Sequence, residues 1–239
     1  MKTQNNFAAL LLGVGILLGL TALGYLLGNA VDRFKGYERT VAVKGLAERE
    51  VPADIVIWPI QFTAASNDLP SLYRDIAGSS ARIEGFLGDQ GIAPEAVSVS
   101  LPAVTDKSAQ QYGGGPKAEF RYTALQTVTV YSKQVDKVRA AMDKLADLGK
   151  EGIAFSQNNY QGQIEYIFTG LNEIKPQMVE QATKEARQVA QKFAEDSDSV
   201  LGKIKRASQG QFSISDRDKN NPHIKKVRVV STVEYYLSD

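Results

Sequence analysis

The chain contains no cysteine, a single histidine and a single tryptophan. Without cysteine there are no disulfides, no thiolate nucleophiles and no sulfur ligands for zinc. The lone histidine, His223, follows Pro222 in the polar stretch SDRDKNNPH and reads as a solvated loop residue, so no Ser-His-Asp relay can be assembled around it. Charge of one sign is also lacking. Against 28 basic residues stand 27 acidic ones, for a net charge of +1, and no block of either sign occurs. That excludes a counterion-releasing surface and with it a nucleic-acid partner.

Strings that mimic cofactor or metal motifs fail on spacing. The glycines in SAQQYGGGPK, residues Ser108–Lys117, lack the Gly-Lys-Ser/Thr ending of a phosphate loop and read as a hairpin tip. Asp216, Asp218 and Asn220 alternate like the start of an EF-hand. However, Asn221 stands where glycine is needed and Val227 where a bidentate glutamate belongs. The carboxylate pairs Glu48/Glu50 and Glu195/Asp196 flank ends of elements and need only solvation. The expectation is a non-enzymatic protein with no catalytic, cofactor-binding or metal-binding residues.

Long hydrophobic runs are absent with one exception. Phe7 to Val31 holds no charge, and its polar residues are Thr21, Tyr25 and Asn29. As a helix it would measure about 37 Å, enough to cross a hydrocarbon core of about 30 Å. A cleaved signal peptide competes with a retained anchor, because Gly28-Asn29-Ala30 has a small-x-small pattern, but the apolar run exceeds the usual signal length. Gly15, Gly19, Gly24 and Gly28 make two small-xxx-small steps, the spacing that lets membrane helices approach closely. Lys2 precedes the run, whereas Arg33, Lys35, Arg39 and Lys44 follow it, and the count leans towards a cytoplasmic C-terminal part. The chain thus divides into a tail (1–6), an anchor (7–31), a linker (32–39) and a domain (40–239), with the lipid bilayer as the anchor's partner.

Within the domain, period-two alternation predicts strands at Thr40–Glu48, Ile55–Ala64, Val97–Thr105, Glu119–Tyr131, Ile153–Phe168, Lys203–Ile214 and Ile224–Leu237. Pro59 places the second of these at a sheet edge or at a bulge. Helical spacing predicts Asp68–Asp89, capped by Asp68 and buried through Leu69, Leu72, Tyr73, Ile76, Ile83, Phe86 and Leu87. A second helix is capped by Ser132, buries Val135, Val138, Met142 and Leu145, and ends at Gly149. A third, Asn172–Asp196, packs through Val179, Ala182, Ala186, Val189 and Phe193. Ile55 to Phe168 then reads βαββαβ, the split arrangement of ferredoxin-like folds, extended by a third helix and a closing hairpin. The fold class is α+β.

Two stretches are recognisable. VAVKGLAEREVPADIVIWPIQF, with Gly45 and Pro52 matching and Ala53 separating Pro52 from Asp54 where the family pattern has Pro-Asp, resembles the opening of the SIMPL family, formerly a domain of unknown function. QATKEARQVAQKFAEDSDSVLGKIKRASQG, with Ala182, Ala186, Ala190 and Ala194 four apart and Leu201-Gly202 beyond, resembles its later part. The resemblance runs from about Thr40 to the C-terminus. It implies a bacterial envelope protein, anchored in the inner membrane or exported, that assembles with itself and has no established enzymatic activity. It also implies a link to envelope or oxidative stress, and it places the domain outside the cytoplasm, against the charge count. Two functions follow: a self-assembling anchored protein, ring-forming or open, or a monomeric or dimeric module that captures a peptide or envelope component.

Overall fold

The computed structural model describes residues 2–36, 39–109, 119–156 and 163–238. The expected glycine hairpin tip lies largely outside them. The first element is one long helix, α1 (Lys2–Gly36). Within it Leu12–Ala30 is long and apolar enough to cross a membrane, with mean hydropathy 1.6. It is followed by β1 (Thr40–Pro52), β2 (Ile55–Ser66), α2 (Leu69–Asp89), β3 (Val97–Val99), β4 (Ala103–Asp106) and β5 (Tyr122–Ser132). Then come α3 (Val135–Asp143), α4 (Leu145–Lys150), β6 (Ala154–Phe155), β7 (Glu165–Ile167), α5 (Leu171–Asp196), β8 (Val200–Gln209), β9 (Ser213–Asp216) and β10 (Ile224–Ser238).

The chain forms two compact units: Met1–Arg49 with Lys175–Ser213 and Arg228–Asp239, and Glu50–Ile174 with Ile214–Val227. The second unit holds the split βαββαβ arrangement. Its sheet runs β3-β5-β2-β6, with β4 also on β5 and β7 also on β2, and each measured pairing is antiparallel. Val56, Trp58, Ile60 and Phe62 line one face of β2, as the alternation requires, and meet Leu72, Ile76, Ile83 and Leu87 of α2 in one core. Asp68 caps α2 as expected, accepting from the Ser71 backbone N–H at 3.0 Å and the Ser71 hydroxyl at 2.7 Å. Leu69 and Tyr73, expected in that core, are exposed; one turn apart, they lie beside the buried stripe of Leu72, Ile76, Ile83 and Leu87 rather than on it.

Several expected elements are broken. The strand expected over Val97–Thr105 is β3 plus β4, because the register on β5 slips by one residue between Val99↔Val128 and Ala103↔Leu125. Pro102 and the exposed Leu101 occupy that bulge. Ser132 does not cap α3: its hydroxyl accepts from the Gln134 N–H at 3.0 Å, ahead of the helix, and that helix divides at Lys144 into α3 and α4.

Pro59 is the larger surprise. Its strand is central, not at an edge, and pairs with β5 without a bulge from Val56 to Ser66. The reason is the side the proline faces. Ser156 N donates to the Gln61 carbonyl at 2.9 Å, so Gln61, and Pro59 two residues before it, point towards β6 and β7. There β7 pairs only with Ile55–Ile57 and β6 only with Phe62 and Thr63. Pro59 falls in the gap, where among the described residues no ladder needs its missing N–H.

In the first unit β10 is flanked by β1 and β8, and α5 packs on this sheet: Ala186 and Ala190 meet Val43, Val233 and Tyr235. The third helix and closing hairpin, joined by β1, therefore build a sheet of their own. The packing stripe of α5 is Met178, Ala182, Ala186, Ala190 and Ala194, whereas Val189 and Phe193, expected inside, are exposed. The cause is Gly45. A Cβ at that position would lie 1.8 Å from the Ala182 carbonyl oxygen and 2.5 Å from the Ala186 nitrogen. Strand and helix meet backbone to backbone, and only the smallest side chains fit there.

Gly45→Ala must therefore push α5 off β1. Overpacking against backbone costs roughly 3 kcal/mol, which for a chain of this size lowers Tm by about 6–12 °C. Thermal melts of purified wild type and variant check this, with Gly78→Ala, an open position inside α2 where a Cβ would meet nothing within 4 Å, as the control that should lose no stability.

Candidate functional site

Two features outside the cores offer chemistry. The first is the free edge of the first unit's sheet. Among the described residues β8 has a ladder partner on one side only, β10, and nearly all its side chains are exposed. Its register on β10 is regular from Arg206 to Gln209 and irregular towards Val200. Gly210 N donates to the Val230 carbonyl at 2.8 Å. By strand alternation Ser208 also faces β10, while Ala207 and Gln209 turn their N–H and C=O groups outwards. The strand carries Lys203, Lys205 and Arg206 and no carboxylate. Glu234 holds the three strands together, accepting from the Thr40 hydroxyl at 2.8 Å and from Lys205 Nζ at 3.1 Å. Those two bonds, the hydroxyl first, keep its carboxyl below the ordinary glutamate range.

The second feature is a groove of about 530 Å³ in the second unit. One helical face of α3 forms a wall through Asp136, Arg139, Ala140 and Asp143. Ile164 and Tyr166 beside and within β7 form the floor with Met142, and the β9–β10 turn closes it through Lys219, Asn220, Pro222 and His223. That turn is tightly tied. The Asp218 carboxylate accepts from the backbone N–H groups of Asn220 and Asn221, each at 2.9 Å, and from Arg217 Nε at 2.8 Å. With the Arg217 bond foremost, its pKa falls to about 2. The His223 carbonyl accepts from Ala53 N at 2.8 Å, and its ring stands edge-on to Tyr166, with centroids 6.1 Å apart. The Tyr166 hydroxyl donates to the Met142 sulfur at 3.8 Å, a weak acceptor.

Burial first, then the nearby charges of Arg139 and Arg217, lower the His223 pKa; Asp136 and Asp218 oppose this more weakly. The ring is thus neutral at pH 7. Tyr166 is shifted up, chiefly by burial. The groove carries hydrogen-bond donors and acceptors around apolar surface, an arrangement that can hold a ligand. Among the described residues no cluster of three metal-binding side chains occurs, and the alternating Asp216, Asp218 and Asn220 form the turn just described.

Asp54 has a structural task. Its carboxylate accepts from the Thr169 N–H at 2.8 Å, the Thr169 hydroxyl at 2.9 Å and the Gly170 N–H at 3.2 Å, which ties the β1–β2 corner to the start of α5. Asp54 and Gly45 both fall in the opening stretch. A model of the SIMPL family, a protein of unknown function (DUF541), matches residues 41–234. The chain belongs to the SIMPL family. No curated protein matches it. The SIMPL match takes in the whole second unit and, of the first, α5 and nearly all the strand residues, and leaves out the anchor-length helix. Gly15, Gly19, Gly24 and Gly28 lie outside it; a Cβ at any of them would meet nothing within 4 Å, so the helix surface is open there. Sequence reasoning set His223 aside as solvated, but the structure half-buries it in the groove.

The lowered His223 pKa has a definite sign. The unfolded histidine titrates near 6.5, so between that value and the lower folded one the unfolded chain binds more protons. The contribution is complete above about pH 6.5 and is lost as pH falls through the folded value. Asp218 behaves likewise, but its loss begins only below about pH 4. Melts of wild type should therefore fall between pH 7 and 5, and His223→Gln should flatten that interval while leaving the drop below pH 4 intact. Since His223 is the only histidine, an unchanged slope in the variant would refute the assignment.

Proposed function

We propose that this SIMPL protein is a non-enzymatic, membrane-anchored protein of the cell envelope that assembles with itself through the free edge of β8. The observation that carries the reading is that edge: by strand alternation Ala207 and Gln209 present backbone groups with no ladder partner among the described residues, which another strand can satisfy. Family membership and the anchor-length helix support it, as does the exposed glycine stripe, which suits helix packing beneath the assembly. The domain lies outside the cytoplasm, in keeping with envelope proteins of this kind.

Charge selects the type of contact. Two β8 strands paired antiparallel about a two-fold axis would gather Lys203, Lys205 and Arg206 of both copies along one ladder with no carboxylate of β8 between them, and like charges brought together across a ladder destabilise it. The opposite edge of the same sheet, β1, mixes Lys44 and Arg49 with Glu48. A β8-to-β1 contact is heterologous, and its repetition closes a ring or runs on as a filament. A link to envelope stress would follow from such an assembly sensing or bracing the envelope. The second reading, a binding module, is favoured by the groove alone and is compatible with assembly.

Two outcomes test this. Mass photometry of the full chain in native membrane discs should give a multimer. Ala207→Pro, which removes an outward N–H without touching the β10 ladder, should give a monomer with an unchanged melt. The pair Gly15→Leu and Gly19→Leu should loosen the multimer without abolishing it, and a monomeric wild type would sink the proposal. Separately, protease added to intact spheroplasts should digest the domain; its survival until lysis would reverse the orientation.

A further inference from the structure

We infer that the groove between α3, β7 and the β9–β10 turn is a binding site for a short segment of neutral saccharide. The proposal is independent of assembly, because every lining residue belongs to the second unit and none to β8 or β1. Its volume, about 530 Å³, is that of an ordinary small-ligand site.

The lining selects the ligand class. Formal charges balance: Asp136 and Asp143 stand against Arg139 and Lys219, with His223 neutral. Such a groove concentrates neither anions nor cations. What it offers is a set of polar tips of both kinds, carboxylate and amide oxygens as acceptors, guanidinium, ammonium and amide nitrogens as donors, arranged around apolar surface. That surface comes from the Tyr166 ring, Met142, Ile164 and Pro222. A pyranose has the matching form, with C–H groups on its faces and hydroxyls, each donor and acceptor, around its rim. The Tyr166 hydroxyl gives its single donor to the weak Met142 acceptor, a bond that a sugar hydroxyl can replace, and keeps acceptor capacity for such a rim. His223 and Asn220 are held in place by the Asp218-centred turn and by the Ala53–His223 backbone bond, so part of the site is preorganised.

A zwitterionic amino acid or dipeptide is the rival, since Asp143 and Lys219 could meet its two ends. Both side chains are exposed, and exposed charges are screened and contribute little. Hydrogen bonding and contact with the ring therefore decide the matter in favour of the neutral ligand.

The test uses the full chain in a detergent without a sugar head group. The probes are maltotriose and tri-N-acetylchitotriose as neutral saccharides, with the cationic chitosan trimer and Ala-Ala as charged counterparts, all titrated by calorimetry and saturation-transfer NMR. At least one neutral trisaccharide should bind with Kd at or below the millimolar range and more tightly than either charged probe. Tyr166→Ala should weaken it about tenfold. Ala140→Trp, which fills the groove from an exposed position and leaves the core intact, should do the same should the tyrosine variant fail to fold. Asp143→Asn and Lys219→Gln keep hydrogen-bonding groups while removing charge, and should change saccharide binding less than threefold. No saturation transfer to either neutral sugar at 10-fold excess over that range, preference for Ala-Ala or the chitosan trimer, or binding untouched by Ala140→Trp would each overturn the assignment. None of these results bears on the multimer, whose mass is measured separately.

Discussion

The first unit depends on a contact between two backbones. Gly45 of β1 lies against the Ala182–Ala186 turn of α5 so closely that no Cβ could intervene. Everything on that sheet follows from it. The helix must present alanines at four-residue intervals, Val43, Val233 and Tyr235 fill the space the small stripe leaves beside it, and the larger Val189 and Phe193 turn outwards. The two stretches that carry the SIMPL resemblance, one around Gly45 and one around the alanines, are the two halves of this single interface. They are recognisable as motifs because close approach tolerates almost no substitution, whereas an ordinary core accepts any apolar residue of about the right volume.

That contact also explains where sequence reasoning succeeded and where it did not. Strands and helices whose burial follows hydrophobicity, such as β2 with Trp58 and Phe62 or α2 with Leu72 and Ile83, were legible from periodicity because burial rewards apolar area. The face of α5 was misjudged by the same rule. Val189 and Phe193 are more hydrophobic than alanine, but the interface demanded smallness. Pro59 misled in a comparable way. A proline excludes a ladder bond on one side only, and which side a neighbouring strand leaves vacant is a tertiary fact that no local pattern contains.

The groove was invisible for a plainer reason. Its residues come from 136–143, 164–166 and 219–223, segments that share no spacing and meet only once the second sheet and its helices are formed. The one pointer in the sequence was the turn chemistry of Asp218, Asn220 and Asn221, which reads as a tied loop once the EF-hand spacing has failed. A tied loop holds its neighbours, and His223 next to it is held against Tyr166. The outward edge of β8 was partly legible. Its alternation predicted a strand, but only the sheet order made it terminal.

In the proposed assembly, the energetics of that edge would give a membrane anchor a purpose beyond attachment. The regular part of β8, Arg206 to Gln209, can supply about four backbone hydrogen bonds to a neighbour, a net gain of about 2–6 kcal/mol. Free association in solution costs an estimated 4–15 kcal/mol, so the edge alone does not hold copies together at ordinary concentrations. Confinement by a membrane helix changes the balance. Copies restricted to one plane and one orientation have already lost much of the freedom that association removes, which raises their effective concentration. The glycines at 15, 19, 24 and 28 then add close helix packing, in a medium that gives apolar helices little other reason to meet. In the proposed assembly the weak, charge-guarded edge would suit that setting: too weak to aggregate the free domain, and sufficient for copies confined to one membrane.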